Sequence, residues 1–242
     1  MKIIDVNAAI GGKDVSGRPV GLSELLANME LYHITHAVCY HEYALLDPAH
    51  GNSLMKEIAG QSGGAVGVSA LLDPALGADN LPGSGSLTRR LQAFAPESVR
   101  ISPGNSRVAF HPFYWEEILE AVNELGLPIV IDGNYTSEFF ENLPEAARQY
   151  PDAKFILVRW GTCGGRYVFP LIQKRKNVYF TVDYMVDYQQ VEEICERSGA
   201  GQLLFGTSFP QFSPAGVLGT ALYADIPETE REMILYKNWE VM

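Results

Sequence analysis

The sequence is poor in the residues that most often carry chemistry. Its 242 residues include five His and three Cys, and the Cys at 39, 163 and 195 form no C-x-x-C pair and leave an odd one out. This is not a disulfide framework, and a reducing cytoplasm is the expected location. Basic residues are scarce as well: 18 Lys+Arg stand against 29 Asp+Glu, a net charge of -11. A surface that acidic repels phosphate backbones and anionic lipid, so neither nucleic acid nor membrane is an expected partner. No apolar run of about 18 residues occurs. The opening MKIIDVNAAIGGKD is broken by Asp5 and Asn7 and contains no signal-peptide core. No G-x-G-x-x-G follows the first apolar run, against a dinucleotide fold, and no Ser lies in a G-x-S-x-G elbow.

What the chain has is core material, with 47% hydrophobic and 19% charged residues. Short β-branched runs alternate with helical patterns. The strand-like runs are KIIDV, HAVCY, AVGVSALL, SVRI, PIVID, KFILV, NVYFTVD and QLLF, each closed by Gly, Pro, Asn or Asp or by another polar residue. Amphipathic stretches such as FYWEEILEAVNELG and DYQQVEEICERSG lie between them, with glycine stops in ELG and RSG. Eight strands separated by helices imply right-handed parallel βαβ crossovers at about 30 residues per unit. The expected fold is therefore an α/β, parallel eight-stranded (β/α)8 TIM barrel, one domain spanning 1–242.

Such barrels build their sites at the C-terminal ends of the strands. Read in order, those ends supply Asp5, Asn7 and Ala9; Tyr40, His41 and Glu42; Asp73; Arg100 and Ser102; Asp132, Asn134 and Tyr135; Arg159 and Trp160; Asp183 and Tyr184; and Ser208. The collection is polar and aromatic, unlike the strand interiors before it, and points to a small-molecule site.

The ordered landmarks IDVNAAIG, GVSALLDP, VRISPG, ELGLPIVID, FILVRWGTCGG, KNVYFTVD and LLFGTSFP run over nearly the whole chain. In this the chain resembles the amidohydrolase-related TIM-barrel family, metal-dependent hydrolases and decarboxylases of small molecules. The resemblance implies metal ligands from an H-x-H pair after the first strand, from a His ending each of the fifth and sixth strands, and from the Asp of G-[TS]-D-x-P at the eighth. Those positions carry Asn7 and Ala9, Asp132, Arg159 and Ser208 here. Divalent ions need three or four converging imidazole, thiolate or carboxylate groups. One carboxylate facing a fixed guanidinium is expected to form an Asp132–Arg159 ion pair instead, with no metal and no other cofactor.

Catalytic candidates are Asp132, His41 and Asp183; ligand-binding candidates are Arg100, Arg159, Asn7, Trp160, Tyr184 and Ser208. His41 is either an acid–base group or a loop histidine bonded to nearby backbone. Arg100 and Arg159 either clamp a carboxylate or pair internally with Asp132, Asp183 or Asp5. Cys163 sits before a helix, where a thiol is activated, but no His adjoins it in sequence. The aromatics Tyr40, Tyr135, Trp160, Tyr184 and Phe209 either wall a pocket or plug the barrel. These residues suit an amidohydrolase-like barrel that binds a small anionic molecule, as a metal-independent hydrolase or as a catalytically silent pseudoenzyme. The alternatives are a metal-dependent hydrolase or decarboxylase with ligands recruited from His41, Glu42, Asp132 or Asp183, and a non-catalytic interaction barrel, one subunit of a homo-oligomer.

Overall fold

The computed structural model describes residues 1–132, 135–160, 165–185 and 187–242. Its strands are β1 (Ile4–Ile10), β2 (His36–His41), β3 (Val66–Leu71), β4 (Ser98–Ile101), β5 (Pro128–Ile131), β6 (Lys154–Leu157), β7 (Val178–Thr181) and β8 (Leu203–Leu204). They form one eight-stranded sheet in sequence order, every neighbour parallel. The two edges meet where Val6 N–H donates to Phe205 O (3.0 Å), Ala9 N–H to Phe209 O (2.8 Å) and Ser208 N–H to Asn7 O (2.8 Å). The chain is thus a (β/α)8 barrel, as the alternation of runs implied, and each of the eight apolar runs overlaps one strand.

The crossovers are α1 (Leu22–Leu31), α2 (Pro48–Gln61), α3 (Leu87–Phe94), a short α4 (Pro103–Ser106), α5 (Glu116–Leu125), α6 (Ser137–Gln149), α7 (Gly165–Lys174), α8 (Gln190–Ser198) and α9 (Pro214–Tyr223). Local chemistry sets their ends. Ser86 Oγ accepts the Arg89 N–H at the start of α3, while Gly126 takes φ +63 to stop α5. The segment PAGVLGTALY of α9 carries no charge and no polar face, so its pattern did not announce a helix. A last helical stretch, Glu228–Glu232, passes through a π turn at Met233–Lys237 into Asn238–Glu240. Among the described residues no helix is long and apolar enough to cross a membrane.

Two apolar layers follow from the strand period of two. Residues such as Ile129, Ile131, Phe155, Leu157, Phe180 and Leu203 pack outward against the helices. Ile4, Val6, Val130, Ile156, Val158 and Leu204 fill the lumen, with Ala9, Tyr40 and Leu71 above them. In β1 the pairing shifts between Asp5 and Ala8, which face only Ala37 and Cys39 of β2. The extra residue changes parity, so Ile4 and, further along, Asn7 and Ala9 all face the barrel interior. The bulge thereby aims Asn7 at the mouth.

Candidate active site

Six of the expected residues meet at the C-terminal mouth. Asp132, one residue past β5, accepts both oxygens' worth of contact from Arg159 Nη2 and a further bond from Arg100 Nη1 at 3.2 Å. Arg100, in β4, also donates from Nη2 to Asn7 Oδ1, and its guanidinium lies 4.3 Å over the Tyr40 ring. Asn7 Nδ2 donates in turn to Ser208 Oγ (2.8 Å) and to Asp183 Oδ2 (3.2 Å), and Ser208 Oγ donates to Asp183. A continuous polar chain therefore runs Arg159–Asp132–Arg100–Asn7–Ser208–Asp183. The expected Asp132–Arg159 pair is present, with Arg100 as a third member.

The chain's electrostatics divide the carboxylates. Asp183 is fully buried and holds four donors, from Ser208, Asn7, the Thr181 hydroxyl and the Arg159 backbone N–H (3.2 Å). Burial raises its pKa above the ordinary carboxylate range, and those bonds only partly oppose this. Asp5 is buried beneath it and accepts from Thr207 N–H (2.9 Å), Thr207 Oγ1 (2.5 Å) and Asn7 N–H (3.0 Å); burial pushes its pKa up to about 6. Among the described residues Glu42 has no hydrogen-bond or ion-pair partner, and burial raises its pKa while the Arg159 charge opposes the rise.

Three strand ends are bent into the left-handed region by residues with side chains: Arg159 (φ +54), Tyr184 (φ +61) and Ser208 (φ +56). Backbone of this kind persists only where surrounding contacts hold it. At Arg159 and Ser208 those contacts are with Asp183, the backbone N–H of one and the hydroxyl of the other.

A cavity of about 450 Å³ opens over Asp132 and Arg159, with Tyr40, Ser102, Asn105 and Gln211 on its walls. Gln211 accepts from Arg159 Nη1. It follows Pro210 in a loop without any pattern that marks it, and sequence reasoning missed it, as it missed the supporting hydroxyls of Thr181 and Thr207. A larger cavity, about 760 Å³, lies at the opposite end of the barrel beside Lys2, His36, Glu97 and Trp239. His36 begins β2 there and pairs with Glu97 at 2.9 Å.

The other candidates lie apart from this chain. His41 Nδ1 accepts the Tyr43 N–H at 3.1 Å, and its ring occupies the space a side chain on Gly11 would need. Burial, and then His50, lower its pKa, and it is a strand-end histidine bonded to backbone. Trp160 is buried, donates to Thr181 O at 2.9 Å and meets Phe180 edge-on, outside the cavity wall. Tyr184 is exposed and leans on Phe212. Tyr135 places its hydroxyl 2.6 Å from both Ile131 O and Val158 O, and its ring packs against Phe139 and Phe140 of α6 in the outer layer. Asn134 and Cys163 lie outside the described residues.

Among the described residues no three His, Cys, Asp or Glu side chains are placed to hold a metal ion. The donor set in this chain is Asp132 shared by two guanidiniums, the fully buried Asp183, a carboxamide and a hydroxyl. Fixed positive charge on both sides of Asp132 does not fit a divalent cation.

Residues 25–238 match the family model described as Amidohydrolase. No curated protein matches the sequence. Solved structures with the same architecture include an uncharacterized TIM-barrel protein of Bordetella bronchiseptica (TM-score 0.80, 15% identity, 100% of this chain and 98% of that one). A dihydroxybenzoic acid decarboxylase of Polaromonas sp. JS666, with bound manganese and the inhibitor 2-nitroresorcinol, is similar at TM-score 0.74 and 15% identity over 99% and 96% of the two chains. So is a probable 2-pyrone-4,6-dicarboxylic acid hydrolase of Acinetobacter baumannii with citric acid bound, at TM-score 0.74 and 13% identity over 98% and 97%.

Proposed function

The chain belongs to the amidohydrolase family, and from that premise we propose that it binds a small carboxylate-bearing molecule at the barrel mouth without a metal ion, Arg159 being the anchor. The observation that carries this reading is the doubly clamped Asp132: Arg159 and Arg100 occupy the mouth on either side of it. Arg159 gives Nη2 to Asp132 and one Nη1 hydrogen to Gln211, and among the described residues nothing takes its Nε or second Nη1 hydrogen, which are left for a ligand in the cavity. A guanidinium fork matches a carboxylate in shape and charge. The citric acid in the related hydrolase structure supports the ligand class.

Binding is favoured over a hydrolysis run by Asp132 and His41. Asp132 is committed to an ion pair with both Arg159 Nη2 and Arg100 Nη1. His41 makes no bond to it and has its Nδ1 committed to backbone. Turnover, where it occurs, draws on Arg100 and Arg159 to stabilise developing negative charge. A metal-dependent hydrolase or decarboxylase, as among the structural neighbours, requires a ligand set that Asn7, Asp132, Arg159 and Ser208 do not provide.

Elemental analysis of purified protein and calorimetric titration with citrate test the reading together. Expected are substoichiometric Zn, Mn and Fe, saturable citrate binding, and a loss of at least about tenfold in affinity in Arg159→Met. Stoichiometric metal, or citrate binding unchanged in Arg159→Met, overturns it.

A further inference from the structure

Tyr40, the penultimate residue of β2, is 5% exposed and lines the mouth cavity together with Arg159. Its ring is held by the Arg100 guanidinium, 4.3 Å from the ring centre. Its hydroxyl has no hydrogen-bond partner among the described residues, and it is not one of the polar atoms sealed from solvent. A buried phenol ordinarily gives its O–H to a partner, so this one is left for an occupant of the cavity. Burial raises its pKa while the Arg100 and Arg159 charges oppose the rise, and the hydroxyl keeps its proton at neutral pH.

The other polar groups on these walls decide what that O–H meets. Arg159 is the one cation among them, and Asp132 is held by both arginines. Gln211 has its Oε1 on Arg159 and its amide hydrogens to offer, and Ser102 carries a hydroxyl that caps no helix. Asn105 gives Nδ2 to Leu45 O, which leaves its Oδ1 as a lone pure acceptor. Donors therefore dominate the space, and they suit an occupant rich in acceptor oxygens rather than one bearing an ammonium group. Arg100 links the two ends of the site, since it lies over Tyr40 and shares Asp132 with Arg159. Resting on the reading that Arg159 anchors a carboxylate, we infer that the mouth takes a 2-oxo or 2-hydroxy acid, whose carboxylate meets Arg159 and whose neighbouring oxygen accepts the Tyr40 O–H.

Isothermal titration of the intact protein with 4-methyl-2-oxopentanoate, 4-methylpentanoate and free leucine tests this, because the three share a carbon skeleton and differ at the carbon beside the carboxylate. The oxo acid is expected to bind at least about fivefold more tightly than the plain acid, and leucine more weakly than either. Tyr40→Phe keeps the ring under Arg100 and removes only the O–H. It is expected to abolish the preference while leaving the plain acid's affinity unchanged. Equal affinity of the two acids for the unaltered protein overturns the inference whatever the variant does, as does an oxo acid that fails to bind. A preference retained in Tyr40→Phe, or equal losses of both acids there, overturns it too, the second outcome marking a structural role. Arg159→Met separates this inference from the reading beneath it. Equal binding of both acids that this variant weakens at least about tenfold overturns the Tyr40 contact alone. Binding indifferent to Arg159→Met, or no binding of either acid or of citrate, overturns the anchor as well.

Discussion

Arg100 and Arg159 touch the same carboxylate, yet their loss has unequal consequences for stability. Arg100 is 1% exposed, whereas the Arg159 side chain is 26% exposed. Replacing Arg100 by Met leaves Asn7 Oδ1 as a buried acceptor without a donor, a cost of about 1–3 kcal/mol. It also removes the cation over Tyr40, worth about 2 kcal/mol when desolvated. Part of this is returned, because a buried guanidinium whose Nε already lacks a partner no longer has to be desolvated. The net is about 3 kcal/mol, the low end of the range for breaking one side of a buried pair. In Arg159→Met the carboxylate keeps Arg100 and the lost contact is partly solvated, so the cost is about 1 kcal/mol or less. For a chain of this length these figures correspond to Tm losses of about 6–12 °C and about 4 °C or less. Thermal and urea denaturation followed by circular dichroism measure both. Equal losses, or a larger loss in Arg159→Met, would refute the division between a supporting and a ligand-facing arginine.

Two glycines of α2 are predicted to respond with opposite signs. A Cβ on Gly51 would lie 2.3 Å from Ala44 N and 2.4 Å from its Cα, backbone that cannot move aside, so Gly51→Ala costs about 3 kcal/mol, whereas Gly60 has nothing within 4 Å and Gly60→Ala stabilises by up to about 1 kcal/mol. Urea midpoints of the same sign for both variants contradict this. Asp5 binds its proton more tightly folded, at about 6 against 3.8, so stability declines as pH rises through that window, by on the order of 3 kcal/mol. Asp5→Asn is expected to flatten the stability–pH curve there, and an unchanged slope argues against the assignment. His36 acts in a higher window: its bond to Glu97 raises its pKa above 6.5, so its contribution is complete below 6.5 and fades as pH rises through the folded value. His36→Gln therefore loses stability at pH 6 and little at pH 9, and equal losses at the two pH values refute the pairing as its cause.

The barrel was legible because its signals are local and repeated. Apolar runs such as SVRI and PIVID need only their own residues to read as strands, and the strand ends then place Arg100, Asp132, Arg159 and Ser208 at one mouth. The bonds among those residues depend on tertiary geometry that no local pattern carries. The shift in β1 that turns Asn7 inward is invisible in IDVNAAI, and Gln211, Thr181 and Thr207 join the site through loop and strand geometry rather than through a motif. His41 illustrates the converse. It stands at a strand end as catalytic residues do, but the Tyr43 N–H two residues away takes its Nδ1. Asp183 shows why residue type alone does not assign a role. Four donors converge on a fully buried carboxylate, so it holds Ser208, Asn7 and the Arg159 backbone in place, and the side chain of Arg159 is what meets the cavity. The consequence for function lies in that division. On the proposed reading, ligand specificity belongs to Arg159, Gln211 and the cavity wall, whereas the buried layer of Arg100, Asn7 and Asp183 fixes where Arg159 stands. Substitutions in the buried layer are then expected to act on ligand affinity through the position of that guanidinium.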